Sequence, residues 1–202
     1  MLKTKTKSSK YAFFLLVILI PIFVYLMSFN SLIYNDSFVQ KTAGGYWKYE
    51  GYDSMSSLVV NYLENPDEVG LIEIDAFTES EKQHLLDVKI VAHRIFDFSF
   101  LVMGVILGLL YVFKWDCRKV LVNAGMITIM VPILLYFIPF NFVFTGFHSI
   151  FFASGSWIFP SSSLLIKLYP FEFWKFAAFE LFLRGFVTGW LLLFLSFIVG
   201  RK

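Results

Sequence analysis

The chain has 202 residues, of which 58% are hydrophobic and 16% charged, with a mean hydropathy of +0.70. A water-soluble domain carries about a quarter charged residues, so that class is excluded. The formal net charge of +2 gives no basic surface for nucleic acid, and the single cysteine, Cys117, rules out an intrachain disulfide framework.

In chain order, the first apolar run extends from Tyr11 to Asn30 and follows Lys3, Lys5, Lys7 and Lys10. A helix of about 20 apolar residues crosses the hydrocarbon core. The run is long and no small-x-small cleavage site follows it, so it reads as an uncleaved first span rather than a signal peptide. Pro21 is placed to kink it, which neighbouring helices tolerate in a membrane.

Ser31 to Arg94 is rich in Asp and Glu. It holds the patterned stretch Met55–Leu63, a breaker at Asn65-Pro66, and Gly70–Phe77, whose alternation of apolar and acidic residues predicts a short strand. Thr78 and Glu81 have the spacing of a helix-initiating capping box, which predicts a helix running through His84 and Asp87 into the second span. The remaining spans are expected over 95–113, 120–140 and 176–200. Lys114, Arg118 and Lys119 against Asp116, and the terminal Arg201 and Lys202, make the second connection and the C-terminus basic, as the N-terminus is. Short basic segments stay in the cytoplasm, so 31–94 and 141–175 are expected outside. Within the latter, FHSIFFASGSWIFPSSSLLIKLYPFEFW is too interrupted by Gly155, Pro160 and Pro170 to span, and too apolar for water. It reads as a re-entrant or interfacial stretch, with Trp157, Tyr169 and Trp174 at headgroup level.

The expected fold is thus an all-α membrane protein, one membrane domain over 1–202. It has four transmembrane helices, a small mixed extracytoplasmic domain between the first two, and an aromatic re-entrant segment between the last two. The expected location is the cell membrane, with both termini cytoplasmic.

Few residues carry reactive chemistry. His84 and Asp87 are three apart on a predicted helix and share a face. A carboxylate so placed holds an imidazole in one tautomer, giving a general base; the same spacing fits a solvated helix face. His148 lies among Phe142, Phe144, Phe147, Phe151 and Phe152, where an imidazole is costly unless paired or used. The plain alternative is a histidine satisfied by a backbone carbonyl. His93, beside Arg94, suits anchoring or an ion pair. Glu180 and Arg184 have the spacing of a helical ion pair, and Asn123 suits a packing hydrogen bond. The chain has no HExxH or paired-cysteine pattern for a metal. Ser154, Ser156 and Ser161 to Ser163 lack the glycine-flanked elbow of a serine nucleophile.

Two segments carry a resemblance together: TESEKQHLLDVKIV from Thr78 to Val91, just before a span, and FH-x-x-FF, W-x-F and LI-x-x-YP-x-x-FW between Phe147 and Trp174. With the span layout and length, they resemble the small four-helix membrane proteins that include the bacterial lipoprotein intramolecular transacylase. The resemblance covers nearly the whole chain. It implies acyl transfer within a lipoprotein, from the sn-2 position of the S-glyceryl group to the α-amino group of the N-terminal cysteine, giving the lyso form. It places the family's two essential histidines on His84 and His148. Asp87 is expected to orient His84 as base with His148 as partner, or the roles reverse. Phe147, Phe151 and Trp157 are expected to line a groove for acyl chains. No cofactor and no metal are called for, and the implied partners are a lipoprotein or lipopeptide and membrane lipid. The competing readings are another membrane lipid acyltransferase or hydrolase, and a non-enzymatic anchored protein that binds a partner.

Overall fold

A computed structural model describes residues 7–44, 51–66, 75–113 and 115–199. The described residues form eight helices: α1 (Lys7–Ile33), α2 (Asp36–Gly44), α3 (Tyr52–Glu64), α4 (Glu79–Val112), α5 (Cys117–Tyr136), α6 (Phe140–Phe151), α7 (Leu164–Leu168) and α8 (Phe171–Val199). No strand occurs among them. Four helices, α1, α4, α5 and α8, are long and apolar enough to cross a membrane, as the hydropathy pattern predicts. The strand expected at Gly70–Phe77 lies mostly outside the described residues. Its described end, Asp75–Phe77, is a turn and bend leading into α4, where the amide of Thr78 is taken by the carboxylate of Glu81 at 2.8 Å and is lost to any ladder.

The contacts divide the chain into two compact units. The first comprises residues 1–28, 96–137 and 181–202. Its buried cluster is Leu16, Val102, Ile106 and Val120, while Phe14, Leu101, Leu107 and Phe194 are more than half exposed. In water such a surface would drive association; on a membrane span it is the face that meets lipid. The hydroxyl of Tyr25 on α1 donates to the carbonyl of Thr128 on α5 at 2.7 Å, a cross-helix bond that removes a polar group from the apolar surroundings. Gly185 and Gly189 are four apart on α8, a spacing that lets helix backbones approach. A Cβ on Gly189 would meet Ile129 Cγ1 at 2.7 Å and the carbonyl oxygen of Gly125 at 3.0 Å; one on Gly185 would enter the ring of Tyr25.

The second unit comprises residues 29–95 and 138–180. Its core packs Val59, Val60, Tyr62 and Leu63 of α3 with Phe77, Leu85 of α4, Leu165 and Leu168 of α7, and Phe173 of α8. The patterned stretch Met55–Leu63 therefore pays its apolar face into this core. Of the two roles expected of His93, anchoring or an ion pair, the bond it makes is to the backbone, not to a carboxylate. Its Nε2 donates to the carbonyl of Leu63 at 2.8 Å, satisfying one of the carbonyls that a helix end leaves open and strapping α4 to α3. Asn123 likewise bonds back to the Lys119 carbonyl of its own helix at 2.7 Å, not across a helix interface.

Gly189→Leu is expected to force α5 and α8 apart and cost about 1–3 kcal/mol. It should lower the thermal unfolding midpoint in detergent, whereas Gly104→Ala, where an added Cβ meets nothing within 4 Å, should leave that midpoint unchanged.

Candidate active site

The second unit brings the two candidate histidines together. His84 projects from the second turn of α4, and His148 from the last turn of α6. Their ring centroids are 6.3 Å apart and the planes nearly parallel, at 18°. The two residues are 7% and 8% exposed respectively, so His84 does not belong to a solvated helix face.

The pair is held in an aromatic cage. Phe152 lies 5.0 Å from His84 and 5.4 Å from His148, touching both imidazoles. Phe159 covers His84 at 5.5 Å. Phe144 and Trp157 flank His148 at 4.1 and 4.8 Å. Phe147 meets His148 edge-on at 5.6 Å and contacts Phe151 at 4.8 Å. Aromatic faces of this kind hold a ring in place without offering it a proton acceptor.

The hydrogen bonds distinguish the two imidazoles. His148 Nδ1 lies 2.8 Å from the Phe144 carbonyl oxygen. A carbonyl only accepts, so Nδ1 carries the proton and the lone pair of the neutral ring is on Nε2. This is the backbone-satisfied histidine the sequence allowed, and the same bond that satisfies it also fixes its tautomer. His84 Nδ1 is buried and, among the described residues, has no hydrogen-bond partner. Asp87 does not take the orienting position expected of it. Its carboxylate accepts from Gln83 Nε2 at 3.1 Å, on the exposed side of α4. The i,i+3 spacing brings Asp87 near enough to act on His84 by charge, but the side chain turns toward solvent.

The apolar stretch of α4 begins at Ile95, so His84 lies outside it. Burial, reinforced by the neighbouring imidazole of His148, pushes the His84 pKa down from 6.5 to about 4, with Asp87 opposing. Burial also holds His148 below the usual histidine range, although the Phe144 carbonyl works against it. Both rings are therefore neutral near pH 7, and protonation of one disfavours protonation of the other.

Sequence reasoning saw Glu81 only as half of a capping box. That box is present: Glu81 N bonds Thr78 Oγ1 at 3.3 Å while Thr78 N and Oγ1 reach Glu81 Oε2, each at 2.8 Å. Yet Glu81 is 1% exposed, and its Oε1 accepts from the amide of Leu165 at 2.9 Å, 84 residues away. Burial raises its pKa, but the amides of Leu165 and Thr78 and the hydroxyls of Thr78 and Ser163 outweigh burial and hold the carboxylate below its usual value. One turn before His84, an ionised side chain thus pins the segment that carries Phe159. The serines offered as nucleophiles are otherwise engaged or exposed: Ser156 donates to the Ala153 carbonyl at 2.9 Å, and Ser163 caps α7. Among the described residues no group of acidic, histidine and cysteine side chains is arranged to hold a metal.

Comparison with known proteins bears on this site. The family model of the lipoprotein intramolecular transacylase Lit matches residues 6–174. An uncharacterized protein of Aquifex aeolicus is 32% identical over 132 residues, 63% of this chain; the match spans 59% of that relative's length. The structure of the membrane integral lipoprotein intramolecular transacylase Lit from Bacillus cereus has the same fold, with a TM-score of 0.78 at 19% identity over 96% of each chain. Two further structures of that protein, with one histidine replaced by arginine or by alanine, match with TM-scores of 0.75.

Glu81→Gln should replace an acceptor by an amide N–H facing buried donors, costing about 1–3 kcal/mol, and thermal unfolding in detergent should register the loss. The histidine pair has its own signature. The unfolded chain takes up a proton at His84 near pH 6.5, and the folded chain only near pH 4. Stability is therefore full above the higher value and falls as the pH drops through this window. A His84→Phe variant should show a shallower fall of the unfolding midpoint over the same pH range.

Proposed function

Because the chain belongs to the lipoprotein intramolecular transacylase family, we propose that it transfers an acyl chain within a diacylglyceryl lipoprotein, from the sn-2 glyceryl oxygen to the α-amino group of the modified cysteine. The observation that carries this reading is the meeting of His84 and His148, 64 residues apart in sequence, with ring centroids 6.3 Å apart inside an aromatic cage.

The chemistry needs a base for an amine and a proton for an alcohol. An α-amino group has a pKa near about 8, so it first sheds a proton to solvent and then attacks the ester carbonyl. A C–N bond forms as the amine's second proton leaves. In this reading His148 Nε2 takes that proton, because its lone pair is set by the Nδ1–H bond to Phe144 and because His84, the more depressed of the two, is the harder ring to protonate. The assignment reverses the roles first suggested by the nearness of Asp87. His84 stays neutral, and its ring N–H is the donor for the carbonyl oxygen as negative charge develops there. When the C–O bond breaks, the proton held by His148 passes to the glyceryl oxygen. The products are an amide and a free sn-2 hydroxyl, with no net gain or loss of protons from the neutral amine. Both reacting groups belong to one molecule, so the protein's task is to fold that molecule into attack geometry and keep water away. The aromatic cage serves the second purpose.

The acyl chains are assigned to the face bearing Phe147, Phe151 and Trp157. Phe151 is 45% exposed, and the neighbouring Ile150 and Ile158 are more so, which supports an apolar wall open to lipid. In the same reading the basic N-terminal, C-terminal and 114–119 segments are cytoplasmic, and 31–94 and 141–175 are extracytoplasmic, in the compartment where lipoprotein head groups are displayed. The protein acts at the cell membrane on a lipoprotein, and its surrounding partner is membrane lipid.

His84→Ala and His148→Ala should each reduce lyso-form product by about 10²–10⁴-fold, the usual contribution of a positioned acid or base, while both variants remain in the membrane fraction. Mass spectrometry of a diacylglyceryl lipopeptide before and after incubation gives the readout. Full activity in either variant removes that histidine from the mechanism, and release of free fatty acid in place of N-acylation would make the protein a hydrolase.

A further inference from the structure

The transacylase reading accounts for the acyl chains, the ester and the amine of the substrate. It leaves the polypeptide that continues from the modified cysteine. That peptide starts within a few bonds of the reacting nitrogen, so its first residues must lie close to the histidine pair. They are polar, carrying one N–H and one C=O each, and the aromatic cage offers nothing to match them.

A cleft of about 460 Å³ in the second unit has the required position and chemistry. Phe159 forms part of its wall, and the same ring packs on His84 at 5.5 Å. The other side chains that matter are Thr78, Ser80, Ser162, Ser163 and Lys167. Four of these are hydroxyl-bearing, in contrast to the phenylalanines around His148. The volume lies within the ~300–1,000 Å³ of small-ligand clefts. Its charge is also decided. Glu81 lines the cleft, but its carboxylate is occupied by the Leu165 amide and by Thr78. Lys167 is exposed and forms no ion pair among the described residues. The unmatched charge in the cleft is thus a cation.

We infer that this cleft is the binding site for the first residues of the substrate's peptide, with Ser80 and Ser162 offering hydrogen bonds to its backbone and Lys167 favouring an acidic side chain. The inference rests on the transacylase reading. Phe159 then divides the substrate, with reacting groups on its His84 side and peptide on the other. Acyl chains are not suited to the cleft, because burying the Ser162 hydroxyl and the Lys167 ammonium against hydrocarbon would leave them unpaired.

The test compares two substrates in wild type and variants: diacylglyceryl-cysteine amide without a peptide, and the same head group followed by a short acidic peptide. Product is quantified by mass spectrometry. Wild type is expected to favour the peptide-bearing substrate in kcat/KM, mainly through KM. Lys167→Glu and Ser162→Trp, both at exposed positions, should each cut that preference about tenfold, equivalent to ~1.4 kcal/mol. Equal use of both substrates by wild type overturns the inference, as does a variant that changes both substrates by the same factor. In either case conversion of the amide leaves the histidine reading standing. Failure of wild type to convert either substrate removes the transacylase reading, and the cleft assignment falls with it.

Discussion

A carboxylate removed from water has to be met by donors, and the way Glu81 is met organises the second unit. Its two oxygens receive the amide and hydroxyl of Thr78 on one side and the amide of Leu165 on the other. The first pair starts α4 at a defined residue. The second fixes the 159–165 segment against that start. Leucines from both partners, Leu85 and Leu165, then close into the same apolar core. Because His84 follows Glu81 by one turn, its ring direction is tied to the helix start, and Phe159 is brought over it by the segment that Glu81 holds. A buried ionised group is stable only with such full pairing, so the arrangement is sensitive to the loss of any one donor.

The same economy of partners governs the histidines. Apolar rings surround both imidazoles, and burial keeps them neutral. Of the two, His148 has its proton located by a backbone carbonyl one turn back, while His84 Nδ1 meets no acceptor among the described residues. Two neutral rings with unequal hydrogen bonding are not equivalent in acid-base terms. In the proposed reaction the first accepts the proton and the second donates toward the substrate. Repulsion between neighbouring imidazolium ions disfavours protonating both rings together.

The first unit meets a different constraint. Its helices have little polar surface to pair, so they depend on close backbone approach and on isolated cross-helix bonds. Gly125 and Gly189 supply the approach, and Tyr25 with Thr128 supplies a bond. The glycines therefore matter for what their missing side chains allow, not for backbone conformation. Large apolar side chains on the remaining faces stay exposed, as expected where the solvent is hydrocarbon.

What the amino-acid sequence determined by itself rested on local composition and short spacing. Long apolar runs gave four helices, because a backbone in lipid must satisfy its own hydrogen bonds. The Thr78–Glu81 spacing gave the start of α4. The paired motifs around His84 and His148 gave the family. Tertiary structure alone decided what depends on contacts between distant segments. His93 reaches Leu63 rather than an acidic partner, and Asp87 turns to Gln83 rather than to His84. Glu81 bonds Leu165, and Phe152 touches both imidazoles. The reason is physical: a side chain has several partners within reach of its own helix turn, and which one it takes depends on whether packing buries that face or leaves it to solvent. Periodicity along one helix does not carry that information.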